Sequence, residues 1–370
     1  MGTPPRRVVW WTNFDAPYRR PVWSALARSV RLEVVLLDAG DHASLRHGNR
    51  GSDWRPGDRP RAYAVRKADT VAVRRGESAY YFPGIGFLRR ARRADAYVLG
   101  GWESPAYWLA AVAGRLRGAR LVGFYESHLG SRRLRSPLVS AVRAIWFRRL
   151  HAVVVPGTAS RDALIADGVP ADRIFTGFNA VDVGFFAAEA ARLRAAGGTG
   201  HRFLYVGQLI PRKNVALAIR ALESLPAEST LTIAGVGRDE AALRRLAAAR
   251  GVERRVTFAG YVPHDRLPEL YARHDTLVLP SALEVWGLVV NEALAAGLHV
   301  VVSETAGVAP SVRGMRGVWT VAPTEDGVAG AMEASARDYA GPIVEPEILA
   351  YTPERFARVF EQALALGEAE

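Results

Sequence analysis

The chain has 370 residues, with 49 Lys and Arg against 37 Asp and Glu, so its formal net charge is +12 at pH 7. This length favours two domains, and an apolar fraction of 49% can bury a core in each, which excludes disorder as the main state. The absence of cysteine excludes disulfide scaffolds, cysteine-bound metals and thiol nucleophiles. No signal-peptide pattern and no run of about 18 apolar residues is found, so the sequence predicts a cytoplasmic protein without a membrane span.

The positive charge is unevenly distributed along the chain. Residues 1–185 hold 30 basic and 15 acidic side chains, whereas residues 186–370 hold 19 and 22. All the bases except Lys67 and Lys213 are arginine, which fits a GC-rich coding bias. Both halves share that bias, so it does not explain the asymmetry. An anionic surface or nucleic acid is therefore a candidate partner of the N-terminal half.

Short apolar runs alternate with helical patterns along the chain. In the first half, strands are predicted at 7–11, 32–37, 97–99, 120–125 and 151–155, and helices near 20–29 and 137–149. In the second half, strands are predicted at 202–207, 229–235, 255–260, 276–281 and 298–303. Continuous apolar strands separated by helices indicate a parallel sheet covered on both faces. Two such units in series predict two doubly wound α/β domains.

Composition places the domain boundaries. Residues 1–185 form the predicted N-terminal domain, and 186–201, rich in small residues and ending in glycine, form the predicted linker. The C-terminal domain is predicted at 202–345, followed by an amphipathic helical segment at 346–370.

The loop after the strand at 202–207 has features of a phosphate site. Gly207 permits close approach of a ligand to the backbone, and Arg212 and Lys213 stand just before a predicted helix N-terminus, which attracts anions. A solvated Arg-Lys pair is the alternative. Gly235 and Gly237 form a second glycine loop after the next strand, for which a tight turn is the alternative.

Two glutamates mark the stretch at 276–303. A helix is predicted to begin near Gly287–Leu288, which leaves Glu284 in the preceding loop and places Glu292 in the second helical turn, about 7 Å further along. Carboxylates spaced in this way suit two hydroxyl-bearing rings joined by a diphosphate better than an acid/base pair around one bond. A helix cap and a satisfied helix residue are the alternative.

Four ordered segments carry a family resemblance. VGQLIPRKN (206–214), AGVG (234–237), residues 256–281 and EVWGLVVNEALAAG (284–297) resemble the retaining glycosyltransferases of family 4. The resemblance is weaker in the N-terminal half, where residues 17–27 and 178–182 still fit. It implies the GT-B fold, with two doubly wound Rossmann-like domains facing an interdomain cleft and the C-terminal helix crossing back to the N-terminal domain.

The resemblance also implies a site for a nucleotide diphosphate (NDP) sugar in the C-terminal domain. Carried over by position, Arg212 and Lys213 bind the diphosphate, Glu284 contacts the donor sugar and Glu292 holds the ribose. The remaining donor-binding candidates are Gly207, Gln208, Gly235, Gly237, Val262, Trp286, Gly287 and Leu288. One departure is that residues 13–19 stand where the family often has a glycine-rich loop.

Polar residues after the N-terminal strands are candidates for the acceptor side, because ligands bind at the carboxyl edge of doubly wound sheets. His128 is the candidate near the transferred sugar or the acceptor proton, with a satisfied loop histidine as the alternative. The other acceptor-side candidates are Asp15, Arg19, Trp102, Glu103 and Glu126.

We therefore predict a hexosyltransferase that retains the anomeric configuration and transfers to a lipid-linked or polysaccharide glycan or to a natural product. No Asp-x-Asp pattern occurs in the sequence, so no metal and no other cofactor are expected. A nucleotide-sugar epimerase of the same fold is the alternative. A nucleic-acid-binding protein is the rival from another class, but no recognised nucleic-acid-binding motif accompanies the charge.

Two basic clusters raise the alternative of peripheral contact with the inner face of the cell membrane. One spans 88–93, and the other combines apolar residues of 138–147 with Arg132, Arg133, Arg135, Arg143, Arg148 and Arg149. A basic amphipathic helix can lie on an anionic bilayer. An ordinary surface helix with solvated arginines is the competing interpretation.

Overall fold

The computed structural model describes residues 5–38, 61–75, 78–90, 92–132, 136–194 and 200–365. They divide into two compact units. The first unit contains the described residues up to 179 together with those from 353 onward, and the second contains residues 180–352.

A seven-stranded parallel sheet forms the centre of the first unit, in the order β3-β2-β1-β6-β7-β8-β9. Its strands are β1 (Arg7–Thr12), β2 (Arg31–Leu36), β3 (Ala64–Lys67), β6 (Ala96–Leu99), β7 (Arg120–Phe124), β8 (Ala152–Val155) and β9 (Ile174–Thr176). Strands β4 (Thr70–Arg75) and β5 (Ser78–Pro83) form a separate antiparallel pair. The strand order reverses between β1 and β6, as in a doubly wound fold.

Six helices belong to the first unit: α1 (Arg20–Leu26), α2 (Phe87–Arg90), α3 (Pro105–Leu116), α4 (Pro137–Arg148), α5 (Thr158–Ala166) and α13 (Pro353–Ala365). The C-terminal α13 packs on α1 and on β7, β8 and β9. Phe360 of α13 lies 4.6 Å from Trp10 between ring centroids, and Phe356 lies 6.1 Å from Phe124. These buried rings make α13 part of the core of the first unit.

The second unit is built around a six-stranded parallel sheet in the order β12-β11-β10-β13-β14-β15. Its strands are β10 (Arg202–Val206), β11 (Thr230–Ala234), β12 (Val256–Gly260), β13 (Thr276–Leu279), β14 (His299–Ser303) and β15 (Val318–Val321). Its helices are α6 (Val183–Leu193), α7 (Ala216–Ala221), α8 (Glu240–Ala249), α9 (Leu267–Ala272), α10 (Leu288–Ala295), α11 (Ala309–Val312) and α12 (Glu325–Asp338). The strand order again reverses, here between β10 and β13.

The prediction of a linker at 186–201 is wrong for its first half, which is helical in the structure. Residues 186–193 belong to α6, which begins after Asp182 and packs against α9 and α10. Its buried residues Val183, Phe186 and Ala190 recur at helical spacing, so the alanine-rich composition belongs to an amphipathic helix. Residues 195–199 of that predicted linker, and 366–370 of the predicted C-terminal segment, lie outside the described residues.

The apolar runs predicted as strands are confirmed as strands of the two parallel sheets. The sequence interpretation missed β3, β4, β5, β9 and β15. The missed strands β4 and β15 lack a continuous buried run, because β4 is largely exposed and β15 is half-buried throughout. A pattern search for continuous apolar strands does not detect such segments.

Candidate functional site

The switch point of the second sheet brings two predicted loops together. The loop after β10 carries Lys213 and the loop after β13 carries Glu284, and these strands are neighbours in the sheet. The Lys213 ammonium donates to the Glu284 carboxylate, and each side chain is only 12% exposed. Ligands of doubly wound sheets bind at the carboxyl edge of such a switch point. The sequence-predicted pair therefore lies at the position where the fold favours a ligand.

Arg212 joins the same two loops. Its carbonyl oxygen accepts from the backbone N–H groups of Ala282 (2.9 Å) and Leu283 (3.3 Å), and its guanidinium donates to the carbonyl oxygen of Leu283 at 3.4 Å. A longer contact of 3.5 Å links the guanidinium to the side-chain oxygen of Gln208. The cation is thus held at the site by backbone contacts from the loop that carries Glu284.

The backbone around the cations differs from the prediction in one respect. Residues Pro211–Lys213 form a short 3-10 turn, and Asn214 is in the left-handed conformation with φ 54°. The following helix α7 begins only at Ala216, so its N-terminus does not follow directly on the Arg-Lys pair. Helix α10 begins at Leu288, after Gly287 with φ 105°, as predicted. Its first N–H groups have no partner within the helix and can face an anion.

Close packing of backbones explains two glycines of the predicted site. The N–H of Leu209 donates to the carbonyl oxygen of Val236 at 3.0 Å, which ties the first loop to the second. A Cβ on Gly235 would lie 1.8 Å from the carbonyl oxygen of Gly207, and one on Gly237 would lie 2.1 Å from that of Leu209. Only glycine fits where the two loops touch.

A third loop lies beside them. The N–H of Gly235 donates to the carbonyl oxygen of Gly260 at 2.7 Å, at the end of β12. Val262, a predicted donor contact, is half-buried in the loop that follows. The loops after β10, β11 and β12 therefore follow three neighbouring strands at one edge of the sheet.

Glu292 is buried and has a phenol as partner. Its side chain lies in α10, the residue is 4% exposed, and one oxygen accepts from the hydroxyl group of Tyr271 at 2.7 Å. The other oxygen lies 3.8 Å from Nε2 of His264. Burial raises the pKa of Glu292, while His264 and the hydrogen bond from Tyr271 oppose the rise. Burial also raises the pKa of Tyr271 well above its ordinary value, with Glu292 adding to the rise.

Trp286 is a core residue rather than an exposed ring. It is 4% exposed, and its indole N–H donates to the side-chain oxygen of the buried Asn291 at 3.2 Å. Its carbonyl oxygen accepts from the N–H of Val308 at 3.1 Å. The ring is therefore placed to support the start of α10, and the prediction of direct ligand contact is not supported by its position.

In the first unit, Arg19 and Glu126 form one ion pair at 2.7 Å. Glu126 also accepts from the side-chain amide of Asn179 at 3.1 Å, and Arg19 lies over the Phe124 ring at 4.6 Å. Burial alone would lower the pKa of Arg19, but Glu126 raises it above its ordinary value. The two predicted acceptor-side residues are thus brought together, after β1 and after β7.

Asp15 is 3% exposed and is held by two arginines. Arg20 donates to one carboxylate oxygen at 3.0 Å, and Arg61 lies 2.8 Å from the other. Burial raises the pKa of Tyr63 to about 12, and the negative charge of Asp15 adds to the rise. Asp15 is therefore engaged in the fold of the first unit, and its predicted contact with an acceptor requires a rearrangement of these partners.

Trp102, Glu103 and His128 also lie at the carboxyl edge of the first sheet. Trp102 is half-buried after β6, its N–H donates to the carboxylate of the exposed Glu103 at 3.0 Å, and Arg143 lies 5.6 Å from its ring. His128 is 8% exposed after β7, and its N–H donates to the hydroxyl oxygen of Ser131 at 2.9 Å.

The predicted basic face of α4 is partly an internal ion-pair network. Arg132 lies 2.6 Å and Arg143 3.1 Å from the carboxylate of Asp167. Arg143 is 3% exposed, so the competing interpretation of an ordinary surface helix with solvated arginines is wrong for this residue. Arg133 and Arg135 lie outside the described residues.

Sequence analysis missed the residues that hold the predicted carboxylates, namely Tyr271, His264, Asn179, Arg20 and Arg61. Tyr271 has the spacing of an ordinary core residue of α9, and nothing in the pattern marks its hydroxyl group as a partner of Glu292. Asn179 lies in FNAVD, a segment that the resemblance had already singled out.

The described residues contain neither a membrane-spanning helix nor a metal-binding cluster. No helix in this part of the chain is both long and apolar enough to cross a membrane. No group of three or more His, Cys, Asp or Glu side chains in the described ranges is arranged to hold a metal ion.

Solved structures show the same fold. Anabaena HepE in complex with UDP matches with a TM-score of 0.70 at 17% identity, covering 97% of this chain and 95% of its own. The lipopolysaccharide outer core galactosyltransferase WaaB matches with a TM-score of 0.67 at 16% identity, covering 97% and 99%. These matches and the two doubly wound units define a protein of the GT-B class.

Two family models match this chain, one in each half. The model for Glycosyltransferase Family 4 matches residues 16–185, and that for Glycosyl transferases group 1 matches residues 194–338. The chain therefore belongs to the family 4 glycosyltransferases.

Curated relatives match over shorter segments. An uncharacterized glycosyltransferase of Methanocaldococcus jannaschii is 34% identical over 139 residues, which are 37% of this chain and 36% of the relative. Glycogen synthase of Mycobacterium tuberculosis is 38% identical over 157 residues, 41% of this chain and 37% of the relative. The chain thus spans little more than a third of the length of these relatives.

Proposed function

We propose that this protein is a retaining glycosyltransferase that moves a sugar from an NDP-sugar to an acceptor hydroxyl group. The observation that carries the proposal is the meeting of Arg212, Lys213 and Glu284 at the switch point of the second sheet. The likeness to HepE, solved with UDP and with UDP-glucose, supports it. Similarity to a relative from Mycobacterium tuberculosis, named a GDP-mannose-dependent alpha-mannosyltransferase, also supports the proposal of an NDP-sugar donor.

In the proposed donor complex, the diphosphate replaces Glu284 as the counterion of Lys213. Arg212 and the first N–H groups of α10, at Gly287 and Leu288, add to the stabilisation of its charge. Glu284 is then free to accept hydrogen bonds from hydroxyl groups of the donor sugar. Glu292 accepts hydrogen bonds from the ribose.

The proposed reaction breaks the bond between the anomeric carbon and the diphosphate oxygen, and its electron pair leaves with the NDP. The acceptor oxygen bonds to the same face of that carbon, and the acceptor proton passes to the departing phosphate. The chain contributes positioning and stabilisation of the developing charge. Nuclear magnetic resonance of the product measures the outcome, and an inverted anomeric centre contradicts the proposal.

We assign the acceptor, a glycan or a natural product, to the carboxyl edge of the first sheet. Of the candidates there, Trp102 and Glu103 combine a half-buried ring with an exposed carboxylate, which suits a sugar or another polyol. Trp102→Ala is expected to raise KM for the acceptor and to leave NDP binding unchanged. A variant with weakened NDP binding and an unchanged acceptor KM contradicts this assignment.

We propose that the reaction needs no divalent metal, because Arg212 and Lys213 supply cations for the diphosphate and the sequence has no Asp-x-Asp pattern. Turnover is expected to persist in excess EDTA. Loss of turnover in EDTA and its recovery with manganese contradict the proposal.

The decisive test of the donor site is the melting temperature with UDP, GDP, TDP, ADP or CMP, in the absence of metal. A ligand that binds only the native state raises the melting temperature by mass action. We expect a shift with one of these nucleotides and its loss in Glu292→Ala. No shift with any nucleotide contradicts the assignment.

We propose an anionic bilayer as a partner of α4. Leu138, Val142 and Ile145 are exposed on this helix at 75%, 37% and 45%, and the exposed Arg148 and Arg149 end it. Leu138→Ser with Ile145→Ser is expected to abolish sedimentation with phosphatidylserine vesicles, whereas the control Val344→Ser is not. Equal sedimentation of all three proteins, or of none, contradicts the proposal.

A further inference from the structure

A cavity lined mainly by arginine lies in the first unit. It has a volume of about 450 Å³ and is lined by Arg115, Arg120, Arg149, His151, Asp172 and Arg173. Arg120 is the first residue of β7, His151 directly precedes β8, and Arg173 directly precedes β9. These are the amino ends of parallel strands, so the cavity lies at the edge of the sheet opposite the acceptor-side candidates.

The charge of this cavity is not neutralised by the residues around it. Four arginines face one aspartate, and none of the four is ion-paired with a carboxylate of the described residues. Burial lowers the pKa of Arg120, and Arg6 lowers it further. Burial likewise lowers the pKa of His151, with Arg120 and Arg115 adding to the effect. The groups that line the cavity therefore repel further positive charge.

Helix ends explain part of this arrangement. Cations stabilise the carboxyl ends of helices. Arg115 donates to the carbonyl oxygen of Arg149 at the end of α4 (3.3 Å), and Arg120 to that of Ala363 near the end of α13 (3.0 Å). Each bond uses one of the five N–H groups of a guanidinium, so both side chains keep donors for a ligand.

His151 adds a donor of known direction. Its Nδ1 accepts from the N–H of Leu121 at 3.0 Å. The ring proton of the neutral imidazole is therefore on Nε2. The side chains of Arg149 and Arg173 are exposed and donate to no helix end among the described residues.

We propose that this cavity binds an anion bearing two or more phosphate groups, either as a free molecule or as a lipid headgroup. Guanidinium groups bind phosphate oxygens in pairs of hydrogen bonds, and a phosphate group carries about −1.5 to −2 charges, so two of them match the excess of arginines. The volume is within the range of small-molecule sites, about 300–1,000 Å³. No part of the proposed NDP-sugar site belongs to this cavity.

Titration calorimetry with tripolyphosphate tests the free form. The experiments use the Arg212→Ala/Lys213→Ala background, which removes both cations of the proposed diphosphate site in the second unit. Adding Arg115→Gln and Arg173→Gln is expected to weaken binding at least about tenfold, since each removes a charged hydrogen-bond donor. Both residues are exposed, and an unchanged melting temperature confirms that the variant folds.

Arg28→Gln/Arg161→Gln is the matched control, because it removes two positive charges, as the cavity variant does, from the surface of the same unit outside the cavity. We expect its affinity for tripolyphosphate to stay within about twofold. An equal loss in the control and the cavity variant overturns the proposal, because binding would then follow the general charge of the surface.

Vesicles distinguish the two sources of phosphate. A headgroup site predicts stronger sedimentation with phosphatidylinositol 4,5-bisphosphate than with phosphatidylserine, compared at equal total lipid charge in phosphatidylcholine vesicles, and loss of that difference in Arg115→Gln/Arg173→Gln. Tripolyphosphate binding without this difference supports a free ligand. The proposal is overturned if tripolyphosphate does not bind and the vesicles show no difference.

Discussion

At the scale of single residues, the candidate donor site depends on side chains that neutralise each other in the ligand-free chain. Lys213 and Glu284 are paired, and Glu292 is bonded to Tyr271. Each pair satisfies groups that would be costly to bury alone. A nucleotide sugar offers these side chains alternative partners, namely a diphosphate anion for Lys213 and hydroxyl donors for the carboxylates of Glu284 and Glu292.

The first prediction concerns the cations. Arg212→Ala and Lys213→Ala are each expected to lower kcat/KM by an amount equivalent to about 2–4 kcal/mol of transition-state stabilisation, because we propose that both stabilise the charge that develops on the leaving diphosphate. The measurement is steady-state kinetics with the nucleotide sugar identified by thermal shift. Arg220→Ala removes a surface arginine paired with Glu325 in the same unit and is expected to be nearly silent. Near-normal turnover in both site variants contradicts their assignment.

The second prediction concerns pH. Burial raises the pKa of Glu292, and in the proposed donor complex its carboxylate form accepts hydrogen bonds from the ribose, so NDP affinity is expected to fall as pH falls through that pKa. The hydrogen bond from Tyr271 lowers the same pKa, so Tyr271→Phe is expected to move the loss of affinity to higher pH. Calorimetry across the pH range measures both.

Tyr339→Phe is the control for this pH effect, since it removes a phenol from another part of the second unit. Its pH profile is expected to match that of the unmodified protein. An unchanged profile in Tyr271→Phe would show that Glu292 does not control NDP binding.

At the scale of elements, the loops after β10 and β11 form one structure through direct backbone contact. Gly235 has φ 146° and no space for a Cβ, because the carbonyl oxygen of Gly207 stands in its way. The glycines are therefore required by the packing of the loops, and the donor-binding role predicted for them follows from where that packing lies.

The third prediction follows from this contact. Gly235→Ala is expected to reduce the free energy of unfolding by about 3–5 kcal/mol, since a steric clash adds to an unfavourable φ. Gly251→Ala is the control, because Gly251 also has positive φ (66°) but open space around it, and it is expected to cost about 1–2 kcal/mol. Urea unfolding measures both, and equal losses contradict the role of the loop contact.

At the scale of the whole molecule, two neutral histidines, the half-buried His201 and the buried His299, connect strands and a helix of the second unit. His201 contacts the hydroxyl of Thr276 at 2.8 Å, Thr276 contacts Ser335 at 2.7 Å, and Ser335 lies 3.3 Å from Nδ1 of His299. Burial lowers the pKa of His201 to about 4 and also lowers that of His299. Burial of these rings therefore disfavours their protonation in the folded chain.

The fourth prediction is a loss of stability in acid. Below about pH 6.5 the unfolded chain takes up protons on these histidines, whereas the folded His201 does so only near pH 4. The free energy of unfolding is therefore expected to be constant above pH 7 and to fall between about pH 6.5 and pH 4. His201→Gln is expected to make the fall less steep in urea titrations at several pH values. An unchanged slope contradicts the contribution of His201.

The sequence determined the class of this protein because its signals are local. Apolar strand runs, the loop with Arg212 and Lys213, and the start of α10 at Gly287 depend on residues close together in the chain. Each could be recognised from propensity and spacing alone. The family resemblance depended on the same segments.

The tertiary structure decided what each candidate touches. Glu292 meets Tyr271 across 21 positions, Lys213 meets Glu284 across 71, and Glu126 meets Arg19 across 107. No local pattern encodes such pairs, since they arise when the sheet order brings the ends of different strands to one edge. The same reason explains why residues 186–193 of α6 were predicted as part of a linker. Small residues are typical of linkers, and only the packing of α6 against α9 and α10 shows that one of its faces is buried. It also explains the arginine-lined cavity, whose members come from four separate points of the chain.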